Sequence, residues 1–188
     1  IDKLGKSAFS AGSDGSESSD IMTHFLAGLT HFVRDIFLLF APTTNSYKRL
    51  RPGTFAPATV TWGEDNRTVA FRLVGKGPAR RIENRIPGAD VNPYLAYAAM
   101  LAAGIRGIEE KLHPLGAAVT GNAYESSDAP TLPQTLDEAV EAFENSTFVR
   151  DVFGKSMQDH YSNFGRQSIL AARMAVTNYE RRMLLIDI

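Results

Sequence analysis

Apolar residues recur at helical spacing in two long segments of the chain. The first runs from Asp20, a suitable N-cap, to about Leu39, and Pro42 ends it. Its apolar positions are Phe25, Leu29, Phe32, Ile36 and Leu39. The second helix begins at Asn92 and Pro93, because asparagine caps well and proline loses no hydrogen bond at the first helical position. The stripe predicted to face the core consists of Tyr94, Ala98, Leu101, Ile105, Ile108 and Leu112.

The last third of the chain is predicted to be helical after a loop at residues 113–134, which is rich in Gly, Pro, Ser and Asp. The sequence TLDE at residues 135–138 is a capping box, and the helix it opens buries Leu136, Val140 and Phe143. A helical turn at residues 147–153 follows and ends at Gly154. From about Ser156 to Leu185 we expect one long helix through Tyr161, Phe164, Met174 and Tyr179.

Between the two long helical segments the pattern changes to that of strands. The three predicted strands are residues 58–62, 68–74 and 80–86. Alternate residues of a strand share a face, so Arg81, Glu83 and Arg85 project together while Ile82 and Ile86 point the other way. The order of elements predicts an α+β fold with a few antiparallel strands flanked by helices.

Composition narrows the function classes. The length of 188 residues suits one domain, and a net charge of −1 gives no general attraction to nucleic acid or an anionic membrane. The absence of cysteine excludes disulfides and thiolate metal sites and suits a reducing cytoplasm, the expected location. No apolar run is long enough to span a bilayer. Residues 1–20 are predicted to be a mobile loop, and the first residue, Ile1, indicates a piece of a longer protein.

Arginines cluster around one carboxylate, that of Glu83. They are Arg49, Arg51, Arg67, Arg72, Arg80, Arg81 and Arg85. The guanidinium fork binds carboxylates and phosphates, and a carboxylate can hold a hard divalent cation. The cluster therefore suits a nucleoside triphosphate with Mg²⁺ and an acidic second substrate. On pattern alone, an exposed salt-bridged sheet face is an equal alternative.

Four motifs in order carry a resemblance: NSYKRL-PG--AP, W--DNRT, RRIENR-PGAD and NPYLAYAAMLAAGI. Over residues 3–112 the chain resembles the C-terminal portion of the glutamine synthetase catalytic domain, and its flap and strand motifs resemble the branch that makes γ-glutamylpolyamines and other γ-glutamyl amides. The resemblance divides the chain into a loop (1–20), a motif-bearing part (20–112) and a helical part (113–188). It also implies that the N-terminal β-grasp domain and the first half of the catalytic domain are absent from these residues, which alone are expected to be inactive.

Members of this family phosphorylate the γ-carboxylate of glutamate with ATP and let ammonia or an amine displace the phosphate. By resemblance, Arg49 and Arg85 bind glutamate, and Arg67 is the catalytic arginine that contacts both the ATP phosphates and the glutamyl group. Arg72 and Arg81 correspond to further ATP-binding arginines.

Glu83 corresponds by resemblance to a ligand of the Mg²⁺ or Mn²⁺ ion that bridges the ATP phosphates. One carboxylate on a face of arginines that bind anionic substrates is expected to be costly unless a metal ion lies against it, which agrees with this role. The alternative is that Glu83 only bridges Arg81 and Arg85.

The flap departs from the glutamine-forming enzymes, which carry a glutamate where this chain has Phe55. A carboxylate serves to bind and deprotonate ammonium, whereas phenylalanine can line an apolar passage for an alkyl chain. The sequence therefore predicts a primary amine, such as a polyamine or ethanolamine, as acceptor. The alternatives are a true glutamine synthetase using ammonia and a non-catalytic relative that retains only the fold.

The remaining expectations concern assembly and isolated residues. The resemblance implies a homo-oligomeric ring, a dodecamer when complete. The net charge of −1 and the lack of a long apolar run predict no nucleic-acid or membrane partner. His24 and His31 share a helix face without a nearby acid and are predicted to be surface or packing residues. Tyr124 is the candidate for the nucleotidylation found in some bacterial relatives, but its surroundings do not match well enough to assign it.

Overall fold

The computed structural model describes residues 5–12, 17–51, 53–54, 56–125 and 128–186. The strands are β1 (Ser10–Ala11), β2 (Glu17–Ser18), β3 (Trp62–Glu64), β4 (Phe71–Val74) and β5 (Arg81–Asn84). The helices are α1 (Asp20–Phe32), α2 (Pro93–Glu109), α3 (Leu136–Asn145), α4 (Thr147–Phe153), α5 (Lys155–Met174) and α6 (Asn178–Ile186). Short 3₁₀ helices occupy Phe37–Leu39, Ser46–Lys48, Gly77–Ala79 and Ala123–Glu125.

The N-cap of helix α1 is one residue before the predicted cap, Asp20. Ser19 is the N-cap: its backbone is extended, and its Oγ accepts a hydrogen bond from the amide of Met22 (3.1 Å). The same hydroxyl donates to the carbonyl of Ala8 (2.6 Å), which ties the chain before the helix to its first turn. Asp20 instead lies in the first turn, where its charge favours the helix dipole. The helix also ends at Phe32, before the predicted boundary, and the chain continues through turns into a 3₁₀ helix.

Helices α1 and α2 pack through their smallest residues. A Cβ added to Gly28 would overlap the carbonyl oxygen of Ala103, and one added to Gly107 would overlap the backbone at Gly28. The backbones therefore approach more closely than larger side chains would permit. The large apolar residues predicted to face the core point elsewhere, since Tyr94 is 85% exposed and Leu101 is also exposed. The prediction of the buried stripe was wrong because α2 is apolar on several faces. The face that packs against α1 is the one with the smallest residues, which allows the two backbones to approach closely. The predicted cap of α2 is confirmed, with Asn92 accepting from the amide of Tyr94 (3.0 Å).

The principal sheet has the order β3-β4-β5 and is mixed. Strands β3 and β4 are parallel, while β4 and β5 are antiparallel with Arg72 directly opposite Glu83. Phe71 and Leu73 are buried, so the intervening Arg72 projects from the other face together with its partner Glu83. The first strand lies later than predicted, and in residues 58–62 Thr59 forms a single bridge with Thr131. The predicted α+β class is confirmed.

Helix α3 packs against α5 and against the 3₁₀ helix Phe37–Leu39, and α4 contacts the end of α1 through the stacked rings of Phe148 and Phe32. The N-cap half of the predicted capping box is confirmed, because Thr135 Oγ1 accepts from the amide of Glu138 (3.2 Å). The Glu138 carboxylate accepts from the amide of Gln134 (2.8 Å), one residue before the cap, instead of from Thr135 itself. The predicted single long helix is interrupted between α5 and α6. There Thr177 and Glu180 form a second capping box, with the Glu180 amide donating to Thr177 Oγ1 (3.2 Å). Within the described residues, no helix combines the length and apolarity needed to cross a membrane.

Candidate active site

Glu83 lies between two arginines on the polar face of the sheet. Its Oε1 accepts from Arg85 Nη1 at 2.7 Å, and its Oε2 accepts from Arg72 Nη1 at 3.1 Å. Both guanidinium side chains are 15% exposed, whereas that of Glu83 is 34% exposed. Arg85 directly follows β5, the strand of Glu83, while Arg72 is brought opposite Glu83 by the β4–β5 register. The three side chains form one fixed arrangement of two cations around an accessible carboxylate.

A fourth residue extends this chain of ion pairs. Arg72 also donates through Nη2 to Asp65, a residue with a left-handed backbone (φ 43°) whose amide bonds the carbonyl of Leu73 at 2.9 Å. The hydrogen bond to Asp65 is the largest cause of a raised pKa of Arg72, and burial opposes it. Asp65 therefore fixes the direction of the Arg72 guanidinium at the edge of the cluster.

Glu83 stays ionised in this setting. Burial, the largest single influence, raises its pKa, but the hydrogen bond from Arg85 and the charges of Arg72 and Arg85 together outweigh burial. The pKa of Glu83 is accordingly below its ordinary value. At neutral pH the carboxylate carries a full negative charge, which can pair with the arginines or bind a metal ion.

Arg67 lies on the turn between β3 and β4 and is exposed. It lines an open cleft of about 640 Å³ together with Asp65, Arg72 and residues 118–121. Its guanidinium makes no hydrogen bond or ion pair with the rest of the described chain. Arg67 thus differs from Arg72, because its donors remain available to an anion in the cleft.

Arg49 approaches the same strand from another direction. It follows the 3₁₀ helix Ser46–Lys48, and its Nη2 donates to the carbonyl of Ile86, the residue after Arg85. This turn is held by Asp90, whose Oδ2 accepts from Ser46 Oγ (2.6 Å) and from Thr43 Oγ1 (2.9 Å). Burial, the largest single influence, raises the pKa of Asp90. The hydrogen bonds from the two hydroxyls and from its own backbone amide, with the charge of Arg49, together outweigh burial, so the pKa of Asp90 is below its ordinary value.

The other two arginines of the RRIENR segment have different positions. Arg80 is buried and donates with both Nη atoms to Glu64 and with one of them to Ser18 (2.7 Å), so it joins the small N-terminal hairpin to β3. Arg81 is exposed, and its Nη1 donates to the carbonyl of Ala79 (3.1 Å). The described residues contain no ion pair between Arg81 and Glu83. The alternative in which Glu83 bridges Arg81 and Arg85 is therefore half wrong: the partner across the ladder is Arg72.

The metal assignment and the flap assignment stay predictions. Among the described residues, no three His, Asp or Glu side chains lie close enough to hold a metal ion, so Glu83 offers one carboxylate and not a complete site. Phe55 lies outside the described residues. The histidines pack as predicted, with His24 Nδ1 2.7 Å from the carbonyl of Leu112 and His31 Nε2 3.0 Å from that of His113.

Sequence reasoning missed three polar residues around the cluster: Asp65, Asn66 and Asp90. Asn66 had a usable signal, since asparagine before a turn residue commonly bonds the backbone two positions on, as it does here to the amide of Thr68 (2.9 Å). Asp65 and Asp90 had none, because their partners are Arg72, Ser46 and Thr43 in separate elements.

Comparison with known proteins gives the family. The family described as glutamine synthetase, catalytic domain, matches residues 1–184. A γ-glutamylethanolamide synthetase of Streptomyces coelicolor is 50% identical over 90% of this chain and 36% of its own length. The type-1 glutamine synthetase 2 of Dictyostelium discoideum is 41% identical over 85% of this chain and 31% of its own. A glutamate–isopropylamine ligase of a Pseudomonas species is 38% identical over 95% of this chain and 39% of its own.

Solved structures agree with the sequence comparison. A GmaS/ADP complex matches with a TM-score of 0.80 and 33% identity over 94% of this chain and 42% of that one. The chain spans between 31% and 39% of the curated relatives named above. The family match and these identities cover most of its residues, and the chain therefore belongs to the glutamine synthetase family, within the catalytic domain.

Proposed function

We propose that the protein is an ATP-dependent ligase that forms γ-glutamyl amides through γ-glutamyl phosphate, with a primary amine as acceptor. The observation that carries this proposal is the set of ion pairs that runs from Asp65 through Arg72 and Glu83 to Arg85. Beside it lies a cleft lined by Arg67, whose guanidinium is available to bind an anion. A sheet face kept only for stability has no need of an unpaired arginine beside two paired ones.

The reaction brings together two anions, and the proposed roles follow from that. Transfer of a phosphoryl group from ATP to a carboxylate requires fixed positive charge, because the reactants repel each other and charge develops on the moving group. Arg67, the accessible cation of the cleft, would contact the phosphates and the glutamyl group. Arg49 and Arg85, which approach the end of β5 from two sides, would bind the glutamate. Arg72 and Arg81 would contact the nucleotide.

A divalent cation, Mg²⁺ or Mn²⁺, is part of this proposal. Glu83 would hold it jointly with ligands outside the described residues, since a single carboxylate competes poorly with water. When bound, such an ion neutralises phosphate charge. The Glu83 carboxylate suits the role because it is ionised, one-third exposed and held in place by Arg72 and Arg85.

The acceptor rests on the relatives and on Phe55. One relative is named for a γ-glutamylethanolamide product and another for isopropylamine as the substrate joined to glutamate, which favours an amine acceptor. A phenylalanine cannot take a proton from ammonium, but it can line a passage for CH₂ groups, each worth about 0.8 kcal/mol when buried. Ammonia is the second candidate, favoured by the type-1 glutamine synthetase among the relatives.

The test is ATP turnover by the intact protein with glutamate and a panel of ammonium, ethanolamine, isopropylamine, putrescine and spermidine. We expect an amine to give the highest kcat/KM, and we expect Phe55→Glu to raise kcat/KM for ammonium. The highest value for ammonium, with no further gain in Phe55→Glu, would assign the protein to ammonia. Absence of turnover with every acceptor, while the protein is folded and Mg²⁺ is present, would favour the non-catalytic relative.

Assembly into a homo-oligomeric ring, a dodecamer when complete, is part of the same proposal. Large apolar side chains are exposed on α2, α5 and α6, among them Tyr94, Phe164, Met174 and Leu184. Surface of this kind is typical of protein–protein contacts. Light scattering on the intact protein should give the mass of a ring, and an active monomer would refute this part.

A further inference from the structure

Asn66, the residue before Arg67, uses both ends of its side-chain amide. Its Nδ2 donates to the carbonyls of Val119 (3.1 Å) and Gly121 (2.8 Å). Its Oδ1 accepts from the amide (2.9 Å) and the hydroxyl (2.7 Å) of Thr68. The turn that carries Arg67 is therefore tied on both sides of that residue, and it is tied to a segment distant in sequence.

That segment, which we call the bridging segment (residues 119–124), also forms hydrogen bonds with β3, with the turn that carries Arg67 and with Ala56. The amide of Val119 bonds the carbonyl of Trp62 (2.8 Å), and the amide of Ala123 bonds the hydroxyl of Thr68 (2.8 Å). At its far end the hydroxyl of Tyr124 donates to the carbonyl of Ala56 (3.0 Å), a buried residue that directly follows Phe55 in the chain. One continuous set of hydrogen bonds thus runs from the Arg67 turn to the residue after Phe55.

We propose that Asn66 is a positioning residue, which sets the place of Arg67 in the cleft. The proposal rests on the proposed function for what Arg67 binds. Asn66 lines the same cleft, but its side-chain amide is occupied by hydrogen bonds to Thr68, Val119 and Gly121. In this scheme it acts through the bridging segment, which supports the turn that carries Arg67.

The physical reason is the difference between holding a side chain and holding its backbone. Arg67 has no ion pair or hydrogen bond within the described residues to restrain its guanidinium, so only its turn defines where the guanidinium can reach. A misplacement of about 1 Å in a positioning group can cost roughly 100-fold in rate. By contrast, Arg72 is restrained directly by Asp65 and Glu83. Loss of Asn66 should therefore impair the contribution of Arg67 without disturbing Arg72.

Asn66→Ser removes the hydrogen bonds to the bridging segment without adding charge, and Asn145→Ser is the matched control. Asn145 is exposed and makes one side-chain bond, to the carbonyl of Glu141 (3.0 Å), on a helix remote from the cleft. In the intact protein we expect Asn66→Ser to lower kcat by about 10- to 100-fold, by the positioning argument above, with KM for the amine changed less than about twofold. The affinity for ADP, measured by calorimetry, should also fall, and the control should match the parent.

A general loss of stability lowers the active fraction, and with it the apparent kcat. It leaves the affinity of the folded protein for ADP unchanged, so a fall in ADP affinity separates a positioning role from a merely structural one.

Parental kcat and ADP affinity in Asn66→Ser would overturn the proposal, as would a lower melting temperature with unchanged kinetics per folded molecule. ADP binding can be measured without turnover, and so can the hydrogen-exchange rate of the Ala123 amide, which donates to Thr68 in the Arg67 turn. These two measurements therefore test the positioning role independently of the ligase reaction. A parent that binds ADP without ligase activity, and loses both ADP affinity and Ala123 protection in Asn66→Ser, would refute the reaction and support the positioning role. A parent that neither turns over nor binds ADP would overturn both.

Discussion

The Glu83 carboxylate should stabilise the fold as well as serve the site, and Glu83→Gln isolates its charge. The substitution keeps the shape but presents one arginine with an amide NH₂, so one of the contacts at 2.7 and 3.1 Å turns repulsive. A buried hydrogen bond to a charged group contributes about 1.5–3 kcal/mol. Glu83 is 34% exposed, so solvent screening lowers the expected loss for the two contacts together to about 2 kcal/mol.

The effect should depend on pH in a defined direction. The folded-state pKa of Glu83 is below the ordinary value of 4.5, so as pH falls the unfolded state takes up a proton before the folded state does. The stabilisation is therefore complete above about pH 4.5 and is lost progressively as pH falls through the lower, folded-state pKa. Glu83→Gln should be less stable at pH 7 and should approach the parent under acidic conditions.

Urea unfolding followed by the fluorescence of Trp62, the one tryptophan of the chain, measures this difference. Glu110→Gln is the control, because Glu110 is 45% exposed and its pair with Arg106 (3.3 Å) is a surface contact along one helix. It should change the free energy of unfolding by less than about 0.5 kcal/mol. If Glu83→Gln lost no more than this control at pH 7, or if its deficit persisted at low pH, the account of Glu83 would be refuted.

Three further predictions concern the fold and the site. Gly28→Ala should destabilise the protein by about 3 kcal/mol in urea unfolding, because the added methyl group meets backbone that cannot rotate away. Ser19→Ala should cost about 1 kcal/mol as a lost N-cap, whereas Asp20→Ala should cost only a few tenths from the helix dipole. Arg67→Ala should lower kcat/KM of the intact enzyme by at least about 100-fold, while His31→Ala should be near the parent in the same ATP-turnover assay.

Each of these has a result that contradicts it. A fully stable Gly28→Ala would mean that α1 and α2 do not approach through their small faces. Equal losses for Ser19→Ala and Asp20→Ala would remove the assignment of the cap. Activity retained in Arg67→Ala would show that the accessible guanidinium of the cleft has no part in the reaction.

Local patterns were sufficient where a few neighbouring residues decide the outcome. The caps at Asn92 and Thr135 are confirmed because a short side chain bonds an amide two or three positions ahead. The break before α6 could have been predicted in the same way, since Thr177 and Glu180 also form a capping box. The α+β class likewise follows from the change of apolar period along the chain.

The sequence by itself determined which chemical groups the site can contain: the arginines, the single carboxylate Glu83 among them, and the order of the motifs around them. Only the tertiary structure decided which groups meet. Arg72 pairs with Glu83 because β4 and β5 align in one register. Helix α2 presents its small residues to α1, where a Cβ at Gly107 would overlap the backbone at Gly28. Rules of helix and strand act over three or four residues, whereas register and the choice of a buried face depend on contacts between segments far apart in sequence, whose free energies no single segment contains.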